Sequence, residues 1–539
     1  MQEAALAELY DALIIGGGHN GLVCGAYLAR NGLRVKVLER RPIVGGAAVT
    51  EEFHPGFRAS TFSYLMSLLH PKVIRELELE KHGLKVLPCS DMFSPLDDDY
   101  LVFSDNVAKT QAQFGRFNKH DAEIYPEFDK YIGEAADVVR KLLFEVPPDP
   151  SKTDLKSLKE LAGFAWRYRK IGKKLYRLID LMTMSAEDFL REWFDDSRVR
   201  AVLAYYASIG TFVSPRTPGS AYVIIHHIMG EHQGAGGWGF IKGGMGAITQ
   251  AIASYGRTRG LEIETDADVE TILVEGGRAV GVALKSGREY RAKIIASNAA
   301  APVTFLRMID EKHLPTEFVR DIRNYRTRSS AFKINVACDR LPQYRALPKA
   351  LADGALGSFT YPTYVHIAPD IEYLDKAYTE AKDGWYSTEP FITPVSPTVV
   401  DDTLAPAGKH VLNLFGGHAA SELKGSTWAA EKENLVKNVM ATIDRFAPGF
   451  SGDVIAYDAL PPDELERRVN LPSGHIFHGE LAPDQLFFKR PTPHYANYRS
   501  PLRGLYQCGS SAHPGGGVSG IPGHNAAREI LKDQGKRMR

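Results

Sequence analysis

Ala12-Leu13-Ile14-Ile15-Gly16-Gly17-Gly18-His19-Asn20-Gly21 runs from an apolar segment straight into a glycine turn. Four apolar residues closed by glycine read as a short buried strand. Residues 22–31 hold no breaker except Gly25 and read as a helix, which Gly32 ends. Val35-Lys36-Val37-Leu38 is a second strand, and Glu39 follows it. The unit is strand, turn, helix, strand, with G-x-G-x-x-G at the first turn. Gly16 permits the tight turn, Gly18 lets a pyrophosphate reach the backbone, and Gly21 lets the helix pack on the strand. The helix start offers free N–H groups and the positive end of its dipole to phosphate. His19 and Asn20 lie in that turn. Glu39 stands 21 residues after Gly18, where a carboxylate accepts ribose hydroxyls, and Arg40 is next to it.

Outward from this unit, Gly45-Gly46-Ala47-Ala48 form a second glycine pair. The pair resembles the extended fingerprint of FAD-binding oxidoreductases of the glutathione-reductase structural class. The stretch 234–246 holds seven glycines but follows no clear strand, so no second dinucleotide motif is read. One tightly bound dinucleotide is expected, with no separate nicotinamide domain. At the far end, residues 504–508 read as a strand closed by Gly509 and Ser510. The loop from His513 through Gly517-Val518 to Gly520 then leads into a helix over 524–532. That helix start also suits an anion or a polarised carbonyl.

Gly18-His19-Asn20-Gly21-Leu22-Val23-Cys24, Gly243-Gly244-Met245-Gly246-Ala247 and His513-Pro514-Gly515-Gly516-Gly517 together resemble the phytoene desaturase, carotenoid isomerase and carotene ketolase group of FAD enzymes. Runs such as Tyr64-Leu65-Met66-Ser67-Leu68-Leu69 and Gly474-His475-Ile476-Phe477-His478 resemble its pyridine nucleotide-disulfide oxidoreductase domain-containing protein 2 branch. The resemblance spans nearly the whole chain. It implies an α/β fold, a Rossmann-like FAD-binding domain interleaved with an α+β substrate domain. FAD-binding parts are expected at 1–85, 231–310 and 491–539. Substrate parts are expected at 86–230, largely helical, and at 311–490. The implied cofactor contacts are Gly16, Gly18, His19, Asn20, Gly21, Glu39, Arg40, Gly45, Gly46, Ala47, Gly244, Met245, Val269, Asn298, Gly509, Ser510, Gly517 and Val518. Two positions depart from the pattern: Ser510 stands where many FAD enzymes have Asp, and Ala47 where amine oxidases usually have Arg.

Residues 110–209 read as mostly helical. Within them, 152–177 carry nine basic residues against Asp154 and Glu160, beside Phe164, Trp166 and Tyr168. This is either a solvated helix or a peripheral membrane contact. Residues 261–264, 267–274, 279–284 and 289–295 read as a β-meander, and later strands are expected at 331–338, 411–415 and 454–458.

The 539 residues carry 65 basic and 65 acidic side chains, a balance that argues against a nucleic-acid partner. Cys24, Cys89, Cys338 and Cys508 are scattered, so neither a local redox dithiol nor a zinc ribbon is read, and no metal is expected. No apolar run is long enough to span a bilayer and no leader or transit peptide is visible, so a cytoplasmic place is expected.

The resemblance implies an FAD-dependent oxidoreductase of the desaturase, isomerase or oxidase type, with a small lipophilic, isoprenoid or polyene substrate as hydride donor and oxygen or a quinone as electron acceptor. His513 is the first candidate for acid–base work, followed by His226, His227 and His478, each titrating near neutral pH if unperturbed. Two alternatives stand beside this reading. One is an amine oxidase-like enzyme on a polar substrate. The other is a non-enzymatic prenyl-protein or lipid carrier of the GDP-dissociation-inhibitor type.

Overall fold

The structure, a computed structural model, describes residues 9–230, 237–329 and 331–539. The glycine-rich stretch 234–246 therefore lies partly outside the described residues. The sheet core begins with Leu9–Ile15, which continues through the glycine turn into helix His19–Arg30 and strand Val35–Leu38. Gly32, at φ +80°, closes that helix and its N–H donates to the Ala29 carbonyl.

These elements belong to a seven-stranded sheet. Its order is Val269–Glu275, Arg278–Leu284, Glu289–Ser297, Leu9–Ile15, Val35–Leu38 and Glu262–Glu264. Glu289–Ser297 is long enough to serve two neighbours on one side. Its first half pairs antiparallel with Arg278–Leu284, and its last three residues pair parallel with Leu505–Gln507. The two ends of the chain thus meet at Asn298 and Cys508. The remaining pairs around Leu9–Ile15 are parallel, so their carboxyl ends open on one side, where α/β folds place ligands.

The expected meander is correct for three strands and wrong for the first. Glu262–Glu264 pairs parallel with Val35–Leu38, at the opposite edge. The preceding helix, Gly246–Thr258, packs against helix His19–Arg30 and delivers the chain to that edge. Leu261 anchors the entry: a Cβ on Gly25 or Gly256 would meet its side chain at 3.1 and 2.6 Å.

A second, antiparallel sheet has the order Tyr386–Val395, His410–Ala419, Ala331–Cys338 and Val454–Leu460. Ala331–Cys338 is buried at every position, sandwiched between the helices of its own layer and the cavity described below. Helices Lys119–Leu142, Ser197–Ala207 and Ala221–Ile228 share an apolar core with parts of both chain halves. The apolar periodicity through 164–182 is interrupted at Gly172, at φ +55°, so two helices form there, Leu155–Tyr168 and Lys174–Thr183. Among the described residues no helix is long and apolar enough to cross a membrane.

Candidate functional site

The carboxyl ends of the parallel strands frame a cavity with about 1820 Å³ of empty space, its open mouth included. Its lining runs from the glycine turn at one end to Phe332 and Phe415 at the other, so one continuous space borders both.

Its first end is the glycine turn. Gly16, at φ +91°, lies in the left-handed region that glycine tolerates. A Cβ on Gly21 would lie 2.1 Å from the Gly16 carbonyl oxygen and 3.1 Å from Asn298 Cβ. Helix and strand therefore touch backbone to backbone. A Cβ on Gly46 would lie 3.1 Å from Gly18 Cα, and the Gly45 N–H donates to the Gly17 carbonyl at 2.9 Å. The second glycine pair is thus a strap laid across the first turn. Asn298 Nδ2 donates to the Gly16 carbonyl at 3.4 Å.

Glu39 is buried and accepts from the Gly17 N–H at 2.7 Å and the Arg41 N–H at 2.9 Å. Burial raises its carboxyl above the usual range, while those two N–H groups and the nearby arginines work against that rise. Arg40, Ala47, Val269, Ser510, Gly517 and Val518 also line the cavity. Val518 does so at φ +57°, an uncommon and strained conformation for a β-branched residue.

The second end is apolar. Phe332 and Phe415 come from adjacent strands of the antiparallel sheet, with Tyr64, Leu65, Trp238 and Phe477 among the other walls. Tyr64 and Phe415 lie with ring centroids 5.5 Å apart. The acidic lining residues are Glu39 and Asp268, both at the nucleotide end beside Arg40 and Val269. The apolar end has one ammonium side chain, Lys333. Its Nζ donates to the Ser60 carbonyl at 2.8 Å and to Asn413 Oδ1 at 3.0 Å, and also to Asn335. Burial pulls Lys333 down to about 7, with the Asp458 carboxylate working against the drop.

Sequence reading missed Lys333. The signal was present: Lys333 and Asn335 alternate inside an otherwise apolar strand, and Asn413 faces Asn335 in register. Polar groups at period two on an inner strand face mark a buried polar site.

The candidate histidines require correction on two counts. His226, His227 and His478 line the cavity, but His513 is not among the lining residues. His513 is buried and its Nε2 hydrogen-bonds the Leu142 carbonyl at 3.0 Å. Nor do the histidines titrate near neutrality. Burial holds His478 at about 3, with His19 and Arg490 adding to the depression, and holds His227 and His513 at about 4. His226 lies well below its ordinary value for the same reason. All four are neutral imidazoles at pH 7.

Several expected cofactor contacts do not line the cavity either. Gly21 and Gly45 act as spacers in the turn, and Gly509 packs on Asn298, where its Cβ would meet the carbonyl oxygen at 2.4 Å. Gly244 and Met245 lie behind the hairpin of Thr50–His54 and Phe57–Ser60. The Met245 and Gly246 N–H groups donate to Ser60 Oγ and Thr50 Oγ1, each at 2.9 Å, so that helix start is already satisfied. Asn20 donates to Ser510 Oγ at 3.3 Å.

The residues present fit FAD. His19 Nε2, Asn20 Oδ1, His226 Nε2 and His478 Nδ1 are buried without a hydrogen-bond partner, and His19, His226 and His478 belong to the cavity wall. Buried polar atoms left unpaired are rare, and a polar ligand in the cavity is the natural partner for them. The glycine turn and Glu39 supply the matching cradle for pyrophosphate and ribose.

A dinucleotide cradle that continues into an apolar chamber defines an FAD-dependent oxidoreductase of the glutathione-reductase structural class. The chain belongs to the flavin containing amine oxidoreductase family, whose model matches residues 21–531. Alanine at position 47 is thus compatible with membership. The chain is 40% identical to pyridine nucleotide-disulfide oxidoreductase domain-containing protein 2 of Mus musculus, over 97% of this chain and 94% of that one. It is 25% identical to one of the subunits of limonene dehydrogenase from Castellaniella defragrans, over 97% and 95%. A putrescine oxidase structure with bound putrescine has the same fold, at a TM-score of 0.60 and 15% identity, covering 98% and 99% of the two chains. The four cysteines are free thiols.

Proposed function

We propose that this oxidoreductase dehydrogenates or isomerises an apolar, isoprenoid or polyene substrate. The observation that carries the reading is the second end of the cavity: among the described residues its walls are aromatic and aliphatic, no carboxylate lines it, and Lys333 is its charged group. An ammonium substrate buried there would have no counter-ion, and a buried unpaired charge is costly. An apolar chain gains about 0.8 kcal/mol per buried CH₂. The likeness to a relative named for limonene, an isoprenoid hydrocarbon, supports the same class.

Gly16, Gly18 and Glu39 would hold the pyrophosphate and ribose of FAD, and Val269 would flank its adenine. Ser510, Gly517 and Val518 line the same cavity and would border its flavin ring. Bound FAD supplies the two-electron acceptor. Lys333 Nζ takes up the substrate proton, because among the described lining residues it is the base poised near pH 7. His226, His227 and His478 remain neutral and orient the bound groups through their ring nitrogens. The apolar walls exclude water from the reacting carbon.

The test is anaerobic reduction of the purified flavoprotein with isoprenoid hydrocarbons, polyenes and primary or polyamines. Bleaching of the flavin by the first two groups is expected, or double-bond isomerisation of the polyene without net bleaching. Bleaching by amines alone refutes the reading.

A further inference from the structure

The chain carries an unusual surface on helices Leu155–Tyr168 and Lys174–Thr183. Among the described residues eleven large hydrophobic side chains are exposed, and six of them fall here: Leu155, Leu158, Trp166, Leu175, Tyr176 and Ile179. Trp166 is 68% exposed and Tyr176 is 70% exposed. Helix Leu155–Tyr168 has no buried residue at all. Ser157, Leu161, Phe164 and Tyr168 turn partly inward, and Tyr168 Oη donates to Glu145 Oε1 at 3.0 Å. Leu155, Leu158, Ala162 and Trp166 follow helical spacing on the opposite, exposed side. A helix that spends its apolar residues on solvent gains nothing from them in the isolated fold, and such patches mark contact surfaces.

The charge around this apolar stripe selects the partner. Arg167 pairs with Glu145, Arg177 with Glu134 and Lys152 with Asp149, while Arg169 lies over the Trp166 ring at 3.8 Å. Lys156, Lys159, Lys170, Lys173 and Lys174 have no acidic partner among the described residues. Five free ammonium groups flanking exposed leucine, isoleucine and tryptophan are complementary to a surface with anionic headgroups and an apolar interior. A second copy of this chain would bring the same positive charges against themselves.

We propose that helices Leu155–Tyr168 and Lys174–Thr183 form a docking face for an anionic lipid bilayer, with Leu155, Leu158, Trp166, Leu175 and Ile179 entering the headgroup boundary. The face adjoins the cavity wall: helix Lys174–Thr183 packs on helix Ala221–Ile228, whose last turn carries His226 and His227 into the cavity. The face stands on exposure and charge, independent of the substrate reading, although it suits a lipophilic substrate drawn from the bilayer.

The experiment is vesicle co-sedimentation of the full-length, flavin-loaded protein without substrate, so its outcome is separable from that of the reduction assay. The probes are vesicles of phosphatidylcholine alone and of phosphatidylcholine with phosphatidylglycerol. The wild type is expected to sediment with the anionic vesicles, to bind the neutral ones weakly, and to be released by added salt as the screening length falls from about 10 Å at 0.1 M to about 3 Å at 1 M. Each lysine contributes about fivefold to partitioning onto such a surface, so the pair K156Q/K159Q is expected to lower it roughly 25-fold. L158E/W166E is expected to lower it further. All four positions are exposed, and unchanged flavin content and thermal midpoint verify folding. Wild-type protein that stays in the supernatant with both vesicle types overturns the proposal. So do variants that sediment as well as wild type, and so does a dimer, dissociated by W166E, that ignores vesicles.

Discussion

At the scale of single residues, Gly21 and Lys333 illustrate opposite kinds of constraint. Gly21 is fixed by geometry, because its position leaves no room for a methyl group. Gly21→Ala is expected to push the first helix off its strand, at a cost of about 1–3 kcal/mol, and to lower the FAD retained after purification. Gly163, whose added Cβ would meet nothing within 4 Å, is the matched control: Gly163→Ala is expected to retain cofactor fully. Absorbance of the purified proteins measures both. Lys333 is fixed by electrostatics. Its ammonium form predominates below pH 7 and has no lone pair to accept a proton, whereas its neutral form predominates above. The rate of flavin reduction is therefore expected to rise as pH passes upward through about 7 and then level off. The lining histidines, held at about 4 or lower, stay neutral across that range and add no inflection of their own. In Lys333→Met the rate is expected to fall and the inflection to vanish. A pH profile unchanged in Lys333→Met removes Lys333 from the chemistry. The glycines were legible in the sequence because contact geometry forces them at fixed spacing. The histidines were misjudged because a sequence shows residue type but not burial, and burial without a carboxylate sets their protonation.

At the scale of elements, the segments that close the cavity are held by one side chain. Arg490 is fully buried, and its guanidinium donates to the backbone carbonyls of Phe477, Gly479, Glu480, Gln485 and Ser510 at 2.8–3.5 Å. It ties the turn bearing Phe477 and His478 to the loop after the last strand. Arg490→Met would leave five carbonyls short of a donor, and an unsatisfied buried acceptor costs about 1–3 kcal/mol. A drop of several kcal/mol is expected, a large share of a total near 5–15 kcal/mol, with a lower thermal midpoint and weaker flavin retention. Arg490→Lys is expected to recover only part, since an ammonium has three donors and no planar fork. Unfolding curves with equal midpoints for Arg490→Met and wild type would contradict this role. Nothing in the string Phe488-Lys489-Arg490-Pro491 announces it, because the partners are backbone groups that any sequence supplies. The strands fared better. Ala331–Cys338 was readable from composition and periodicity, and the first strand–helix–strand unit was nearly exact. The edge strand Glu262–Glu264 was misplaced because three residues carry no information about which neighbour they pair with.

At the scale of the whole molecule, the cradle draws on both chain ends and on Val269 and Asn298 from the middle, and the apolar walls join Tyr64 and Leu65 to Phe332, Phe415 and Phe477. The balance of 65 basic against 65 acidic residues hides an uneven distribution, with nine basic and two acidic residues over 152–177. Family membership was legible from long ordered motifs spread over the chain, and it carries the cofactor with it. The expectation of a lipophilic substrate rested on resemblance alone, because the side chains that converge on one wall of the cavity are far apart in the sequence. The central claim is that this wall selects an apolar chain. The most direct measurement is the substrate concentration giving half-maximal anaerobic flavin reduction across a homologous isoprenoid series. That concentration is expected to fall by about fourfold per added CH₂, the equivalent of about 0.8 kcal/mol, until the chamber is filled. A half-saturation indifferent to chain length, with faster reduction by ammonium-bearing substrates, would contradict the claim.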